Sequence, residues 1–152
     1  MKDNGEIKNL LDRVREIASR PSGKNEKLSE ICVLLRSEIP HYDWVGFYIV
    51  EGGELVLGPF DGEPTEHVRI HFGEGICGQA AERKETFIVQ DVSKEANYLS
   101  CSLKVKSEIV VPIFKDGKLV GELDIDSHTL SPFTSGDKKF LENVCDIASS
   151  LF

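Results

Sequence analysis

The chain has 152 residues, which suits a single domain spanning residues 1–152 with one hydrophobic core. Its composition, 40% hydrophobic and 29% charged, is typical of a globular protein in solution. The formal net charge of −8 repels nucleic acid and anionic membrane surfaces, which are bound through Lys and Arg patches. No run of about 18 apolar residues is present and the N-terminus is charged throughout, so we expect a cytoplasmic protein without a membrane span or a secretory signal.

Two amphipathic helices are predicted at the start, over residues 6–20 and 25–38. Cys32 lies on the apolar face of the second helix, so we interpret it as a packing residue.

The stretch "DWVGFYIVEGGELVLG" predicts two strands joined by a turn at residues 51–54. Alternate residues of the first strand are apolar and face the core, whereas Trp44, Gly46 and Tyr48 share the other face. Because glycine has no side chain, this pattern predicts a gap between two aromatic rings. Ordinary sheet packing is the alternative.

The remaining elements follow without a repeating βαβ unit. "HVRIHF" predicts a short strand, "GEGICGQAAERKE" a glycine turn and short helix, and "TFIVQDV" another strand. "SKEANYLSCSLKVK" has no clean period and reads as a long connection. A hairpin then turns at Asp116–Gly117, and a final helix carries Cys145 on its apolar face.

The predicted order α-α-β-β-β-α-β-β-β-α indicates an α+β fold with a central, mainly antiparallel sheet. The N- and C-terminal helices pack on one face of that sheet. The opposite face, covered by the two middle connections, is the expected place for a ligand pocket.

Acidic residues mark the predicted pocket face. Asp124 and Asp126 project to one side of the last strand, and Glu108 begins the neighbouring strand. If this face is exposed, the charges are simply solvated. If it is covered, the acids are costly and imply a cationic partner or a shared proton.

Two of the four cysteines do not read as packing residues. Cys101 lies in the aperiodic connection, and Cys77 lies where a glycine turn enters a helix, at a point where backbone N–H groups stabilise a thiolate. The cysteine spacings do not make zinc pairs, and in a reducing compartment a disulfide would be transient and catalytic. Together with the acids, the cysteines suggest thiol redox chemistry on a small cationic or zwitterionic molecule.

The motifs "WVGFY", "LGPF", "GICG", "SEIVVP" and "LDIDS", in this order between about residues 43 and 137, resemble the GAF-domain family of free methionine-(R)-sulfoxide reductases. The resemblance implies an enzyme that is recycled by thioredoxin at the expense of NADPH, holds no bound cofactor or catalytic metal, and is commonly a homodimer. It also implies roles for seven residues: an attacking cysteine (Cys101), a second active-site cysteine (Cys77), acids that hold the polar end of the substrate and transfer protons (Glu108, Asp124, Asp126), and aromatic walls around the sulfoxide (Trp44, Tyr48).

The chain departs from that family at the position ten residues before Cys77. Better-known members carry a resolving cysteine there, whereas this chain has His67, which either lines the pocket or lies on a surface strand. It also reads "YLSCS" where many members have "HIACD". Either Cys77 replaces the missing resolving thiol, or the chain is a non-catalytic GAF module that binds or senses an amino acid or small metabolite.

The expected mechanism needs a thiolate, an acid and a means of holding the substrate. Cys101 attacks the sulfoxide, one protonated acid donates to the oxygen, and the other acids bind the substrate ammonium. Cys101 becomes a sulfenic acid, and Cys77 condenses with it to a disulfide that thioredoxin reduces.

Overall fold

A computed structural model describes residues 2–96, 98 and 103–152. Four α-helices are present in this part of the chain: α1 (Asn4–Ser19), α2 (Lys24–Glu38), α3 (Gly75–Arg83) and α4 (Ser135–Ala148). The strands are β1 (Trp44–Glu51), β2 (Glu54–Asp61), β3 (Arg69–His71), β4 (Phe87–Val89), β5 (Ser107–Lys115) and β6 (Lys118–Ser127), and 3₁₀ turns follow β4 and α4. The predicted order of helices and strands is confirmed.

The six strands form one sheet in the order β3-β2-β1-β6-β5-β4, and each neighbouring pair is antiparallel. Both predicted hairpin turns are confirmed. In each turn the two central residues have positive φ: +58° and +79° at Gly52 and Gly53, and +51° and +76° at Asp116 and Gly117. This is the two-residue turn whose twist matches that of paired strands. The β5–β6 hairpin also contains a register shift between Ile113 and Phe114.

The two faces of the sheet differ in what covers them. One face packs against α2 and α4, and α1 packs on these two helices, so that the three helices and the sheet form the main apolar core, which includes Cys32 and Cys145. A second, smaller cluster on the other face contains Trp44, Tyr48 and residues of α3. The α+β architecture, the terminal helices on one face and the core positions of Cys32 and Cys145 are therefore confirmed.

The third strand is shorter than the sequence predicts. Only Ile70 is buried, whereas Val68 and Phe72 are 54% and 36% exposed. This edge strand pairs over three residues with β2 alone, and the chain then turns into α3. The apolar residues on either side of Ile70 therefore stay partly exposed at the sheet edge.

Within the described residues, none of the helices has the length and apolar run that crossing a bilayer requires.

Candidate active site

The β5–β6 hairpin places the three predicted acids together. Asp124 and Asp126 lie on the face covered by α3, and Glu108 in β5 is the direct cross-strand partner of Asp126. All three are buried, with exposed fractions of 4%, 3% and 6% for Asp124, Asp126 and Glu108. The alternative of solvated surface charges is therefore excluded.

Helix α3 brings Cys77 over these acids, because it packs against both β5 and β6. The Cys77 thiol donates to Oε2 of Glu108, with an S···O distance of 3.8 Å. One ligand atom each from Cys77, Glu108 and Asp124 lies within 4.8 Å of the other two. Thiol and carboxylates thus form one buried group.

The environment of Cys77 does not favour a thiolate, contrary to the prediction from its place in the first turn of α3. Burial raises the pKa of the Cys77 thiol well above its ordinary value, and the carboxylates of Asp124 and Glu108 raise it further. The partial positive charge at a helix N-terminus is outweighed by removal from water and by like charge nearby. Cys77 is therefore a neutral thiol at neutral pH.

The glycines beside Cys77 permit close backbone packing. Gly75 has φ of +60°, a conformation that favours glycine. A Cβ on Gly78 would lie 2.5 Å from the carbonyl oxygen of His71. These glycines therefore let α3 start directly against the end of β3.

The carboxyl groups hold protons more tightly than ordinary acids. Burial raises the pKa of Asp124, although its hydrogen bonds with Glu108 and Cys77 act in the opposite direction. The pKa of Asp126 is raised well above its usual value by burial and by the charge of Asp124. Within the described part of the chain, Oδ1 of Asp124 and Oδ1 of Asp126 are buried without a hydrogen-bond partner.

Glu122 is a fourth acid of this face, and the sequence interpretation missed it. Glu122 is 0% exposed, and neither of its carboxylate oxygens has a hydrogen-bond partner among the described residues. Burial, followed by the charge of Asp124, raises its pKa well above the ordinary value. The alternation that identified Asp124 and Asp126 extends to residue 122 and could have revealed it.

A small pocket opens beside Cys77 and the acids. His67 lines this pocket. Of the two positions predicted for His67, the pocket wall and a surface strand, the structure therefore supports the first. The Tyr48 hydroxyl donates to the His67 carbonyl oxygen at 2.8 Å, which holds this wall in place. The full lining is Tyr48, His67, Ile70, Glu74, Gly75, Ile76, Cys77, Glu108 and Asp124.

Trp44 lines a second pocket together with Asp126 and Val105. The predicted gap above Gly46 is absent, because a Cβ on Gly46 would lie 2.3 Å from Cη2 of the Trp44 indole. The indole stacks on Phe60 with ring centroids 5.5 Å apart. The indole itself therefore fills the space above glycine, and Trp44 and Tyr48 line neighbouring pockets rather than one slot.

The structure thus brings together six of the seven predicted site residues on one sheet face. The seventh, Cys101, lies outside the described residues.

Known proteins match this chain along most of its length. A model of the GAF domain matches residues 25–151. The free methionine-R-sulfoxide reductase of Saccharomyces cerevisiae is 45% identical to this chain, and the match covers 69% of this chain and 60% of the yeast protein. The free methionine-R-sulfoxide reductase of Escherichia coli is 36% identical, and the match covers 77% of this chain and 70% of that protein. The X-ray structure of the reductase from Neisseria meningitidis, in complex with its substrate, superposes with a TM-score of 0.92 at 34% identity, covering 100% of this chain and 92% of that one.

The match over residues 25–151 and the six-stranded antiparallel sheet with its helices identify the chain as a GAF domain. Within that class, the chain belongs to the family of the free methionine-R-sulfoxide reductases.

The contact between Trp44 and Gly46 can be tested with Gly46→Ala. The added methyl group must displace the indole, and we expect a loss of about 1–3 kcal/mol in the free energy of unfolding. Trp44 is the only tryptophan in the chain, so its fluorescence reports the displacement directly. Gly5→Ala is the control, because its Cβ would lie no closer than 3.4 Å to a neighbour and alanine suits a helix. Unchanged fluorescence in Gly46→Ala would contradict the packing described.

The buried state of Glu122 predicts how stability varies with pH. Its pKa is raised in the folded protein, so above the unfolded pKa of about 4.3 the native state retains a proton that the unfolded state has lost. The free energy of unfolding therefore falls as pH rises, by about 1.4 kcal/mol per pH unit for each such group, until the folded pKa is passed. Asp124 and Asp126 contribute in the same direction.

We expect Glu122→Gln to reduce this slope in urea titrations between about pH 5 and 7.5, because the amide cannot ionise. Glu51→Gln is the matched control, since Glu51 is exposed at the first hairpin. An identical slope in wild type and Glu122→Gln would mean that Glu122 is not buried as a neutral acid.

Proposed function

We propose that this chain reduces free L-methionine-(R)-sulfoxide to methionine through Cys101 and Cys77, with thioredoxin as the external reductant. The observation that supports the proposal best is the pair of buried, unpartnered Oδ1 atoms of Asp124 and Asp126, which belong to residues lining two neighbouring pockets. Such oxygens favour a ligand that brings a positive charge or a hydrogen-bond donor. The reductases of known structure include one solved in complex with its substrate.

Free methionine sulfoxide meets this requirement at both ends. Its ammonium can bind an ionised carboxylate, and its sulfoxide oxygen can accept a proton from a neutral carboxyl group. A methionine sulfoxide residue within a protein has no such ammonium. The acidic group therefore supports selection of the free amino acid by charge, while Trp44 and Tyr48 would enclose the apolar methyl-sulfoxide end.

Asp124 and Asp126 are the better candidates for the proton donor. Both have raised pKa values, caused first by burial, so one of them can retain a proton at neutral pH. Protonation of the sulfoxide oxygen makes the sulfur electrophilic, and this promotes attack by a thiolate. Glu108, which lies opposite Asp126, would stay available to bind charge or to accept a proton.

The redox step would occur in two stages. Cys101 attacks the sulfoxide, the oxygen is transferred to Cys101, and methionine leaves with a sulfenic acid remaining on the enzyme. Cys77 then attacks that sulfur, a disulfide forms, and the oxygen departs as water. The neutral Cys77 thiol must first lose its proton, and Glu108, which already accepts from Sγ at 3.8 Å, is positioned to take it.

The assay that tests the proposal combines free methionine-(R)-sulfoxide, thioredoxin, thioredoxin reductase and NADPH. We expect NADPH to be consumed in proportion to the methionine formed. If the ligand binds without forming methionine, the chain is instead a non-catalytic GAF module for an amino acid or small metabolite.

Cys101→Ser should abolish methionine formation, because a hydroxyl group of ordinary pKa is a far weaker nucleophile than a thiolate. The matched control is Ser102→Ala, a change next to Cys101 in the sequence, which should retain activity. Methionine should be quantified by amino-acid analysis. Full activity in Cys101→Ser would assign the attack to another cysteine.

Cys77→Ser should release about one methionine per chain and then stall with thioredoxin, because the sulfenic acid has no thiol with which to condense. A rapid-quench time course distinguishes this burst from steady turnover. Intact-mass analysis of wild type after substrate treatment should show a loss of two hydrogens, with peptide mapping linking Cys77 to Cys101. Normal turnover by Cys77→Ser with thioredoxin would exclude Cys77 as the resolving thiol.

A further inference from the structure

The buried group formed by Cys77, Glu108 and Asp124 has the composition of a metal site as well as of a redox site. One sulfur and two carboxylate oxygens lie within 4.8 Å of one another. In a tetrahedral zinc site the metal–ligand distances of about 2.0–2.3 Å place neighbouring ligand atoms roughly 3.5 Å apart. The Cys77–Glu108 separation of 3.8 Å is already close to that value. Side-chain shifts of about 1 Å or less would complete the geometry.

A second observation, independent of this clustering, is that one carboxylate oxygen of the group lacks a hydrogen-bond partner. Oδ1 of Asp124 is fully buried, has no hydrogen-bond partner in the described part of the chain, and belongs to a residue lining the pocket that Cys77 also lines. A buried carboxylate oxygen without a donor is costly, and coordination of a cation would remove that cost. The pocket wall includes the exposed Glu74, which gives an ion a route from solvent.

The donor set also selects among metals. Mg²⁺ and Ca²⁺ prefer shells made only of oxygen, whereas a thiolate with two carboxylates suits Zn²⁺. Binding of Zn²⁺ would release the Cys77 proton and place two positive charges beside the buried carboxyl groups. Glu122 and Asp126 lie on the same sheet face, where the positive charge of a bound ion would favour their ionised forms.

We propose that Cys77, Glu108 and Asp124 form an inhibitory zinc-binding site. The ion competes with the substrate for the pocket, and while it is bound Cys77 cannot close a disulfide. The metal site itself stands independently of the reductase reaction. Only the inhibition rests on the proposed function.

The binding test uses the full chain, reduced with a phosphine because dithiols bind zinc, and dialysed against graded concentrations of free Zn²⁺. We expect saturation at about one zinc per chain by elemental analysis. Loss of an outer-sphere partner already costs a metal site about 10- to 100-fold in affinity, so we expect Cys77→Ala to lose at least about 100-fold. Co²⁺ should give a thiolate-to-metal charge-transfer band in wild type that is absent from Cys77→Ala.

Cys145→Ala is the matched control, because Cys145 is equally buried but lies on the opposite sheet face, in the main core. It should bind zinc like wild type. Asp124→Asn is a second test of the ligand set, and circular dichroism should establish that each variant is folded. Absence of saturable binding in wild type, retained affinity in Cys77→Ala, or equal loss in Cys145→Ala would each overturn the site.

Inhibition is measured separately, by adding Zn²⁺ to the coupled reductase assay and then removing it with a chelator. We expect a reversible loss of activity that free methionine sulfoxide relieves. Zinc binding by a chain without reductase activity would overturn the proposed function alone. An active chain that does not bind zinc would overturn this inference alone.

Discussion

Four carboxyl groups on one side of a sheet, removed from water, are the constraint on which the rest of the site depends. Two strands of one hairpin supply all four, and α3 lies over them. Burial raises the pKa values of Asp124, Asp126 and Glu122, and the charge of Asp124 raises those of Asp126 and Glu122 further, so protons are retained where separate surface acids would have lost them. Burial, and after it the charge of the same acids, raises the pKa of Cys77 and keeps it a neutral thiol. An acidic proton store and an unreactive thiol thus have a single physical origin.

Burial of these acids costs free energy of folding. The apolar packing that stabilises the fold lies on the other side of the sheet. The apolar side of the sheet shares one core with three helices, whereas the acidic side is covered by one short helix and by connections. Polar groups left unpaired in the native state are typical of ligand sites, where function is gained at the expense of stability. A ligand that satisfies those groups stabilises the native state by mass action.

The sequence predicts the architecture well, because the patterns that indicate strands, helices and turns involve residues close together in the chain. Alternation identified the pocket face of β1 and β6, and the turn dipeptides located both hairpins. Other features depend on tertiary contacts that a linear pattern does not carry. The helix N-terminus suggested a thiolate at Cys77, but the deciding charges come from residues far along the chain. Glycine at position 46 suggested open space, yet the rotamer of Trp44 fills it. Glu122 was within reach of the alternation rule and was overlooked.

The hairpin turn at Asp116–Gly117 lines neither of the two pockets, yet it determines which residues of β5 and β6 lie on each sheet face. Because side chains alternate along a strand, a slip of one residue between β5 and β6 would turn Glu122, Asp124 and Asp126 into the apolar core and expose Leu123 and Ile125 to the pocket. The register shift after Ile113 is part of the same alignment. An insertion or deletion of one residue in this turn region is therefore equivalent to inverting the site, although no pocket residue is altered.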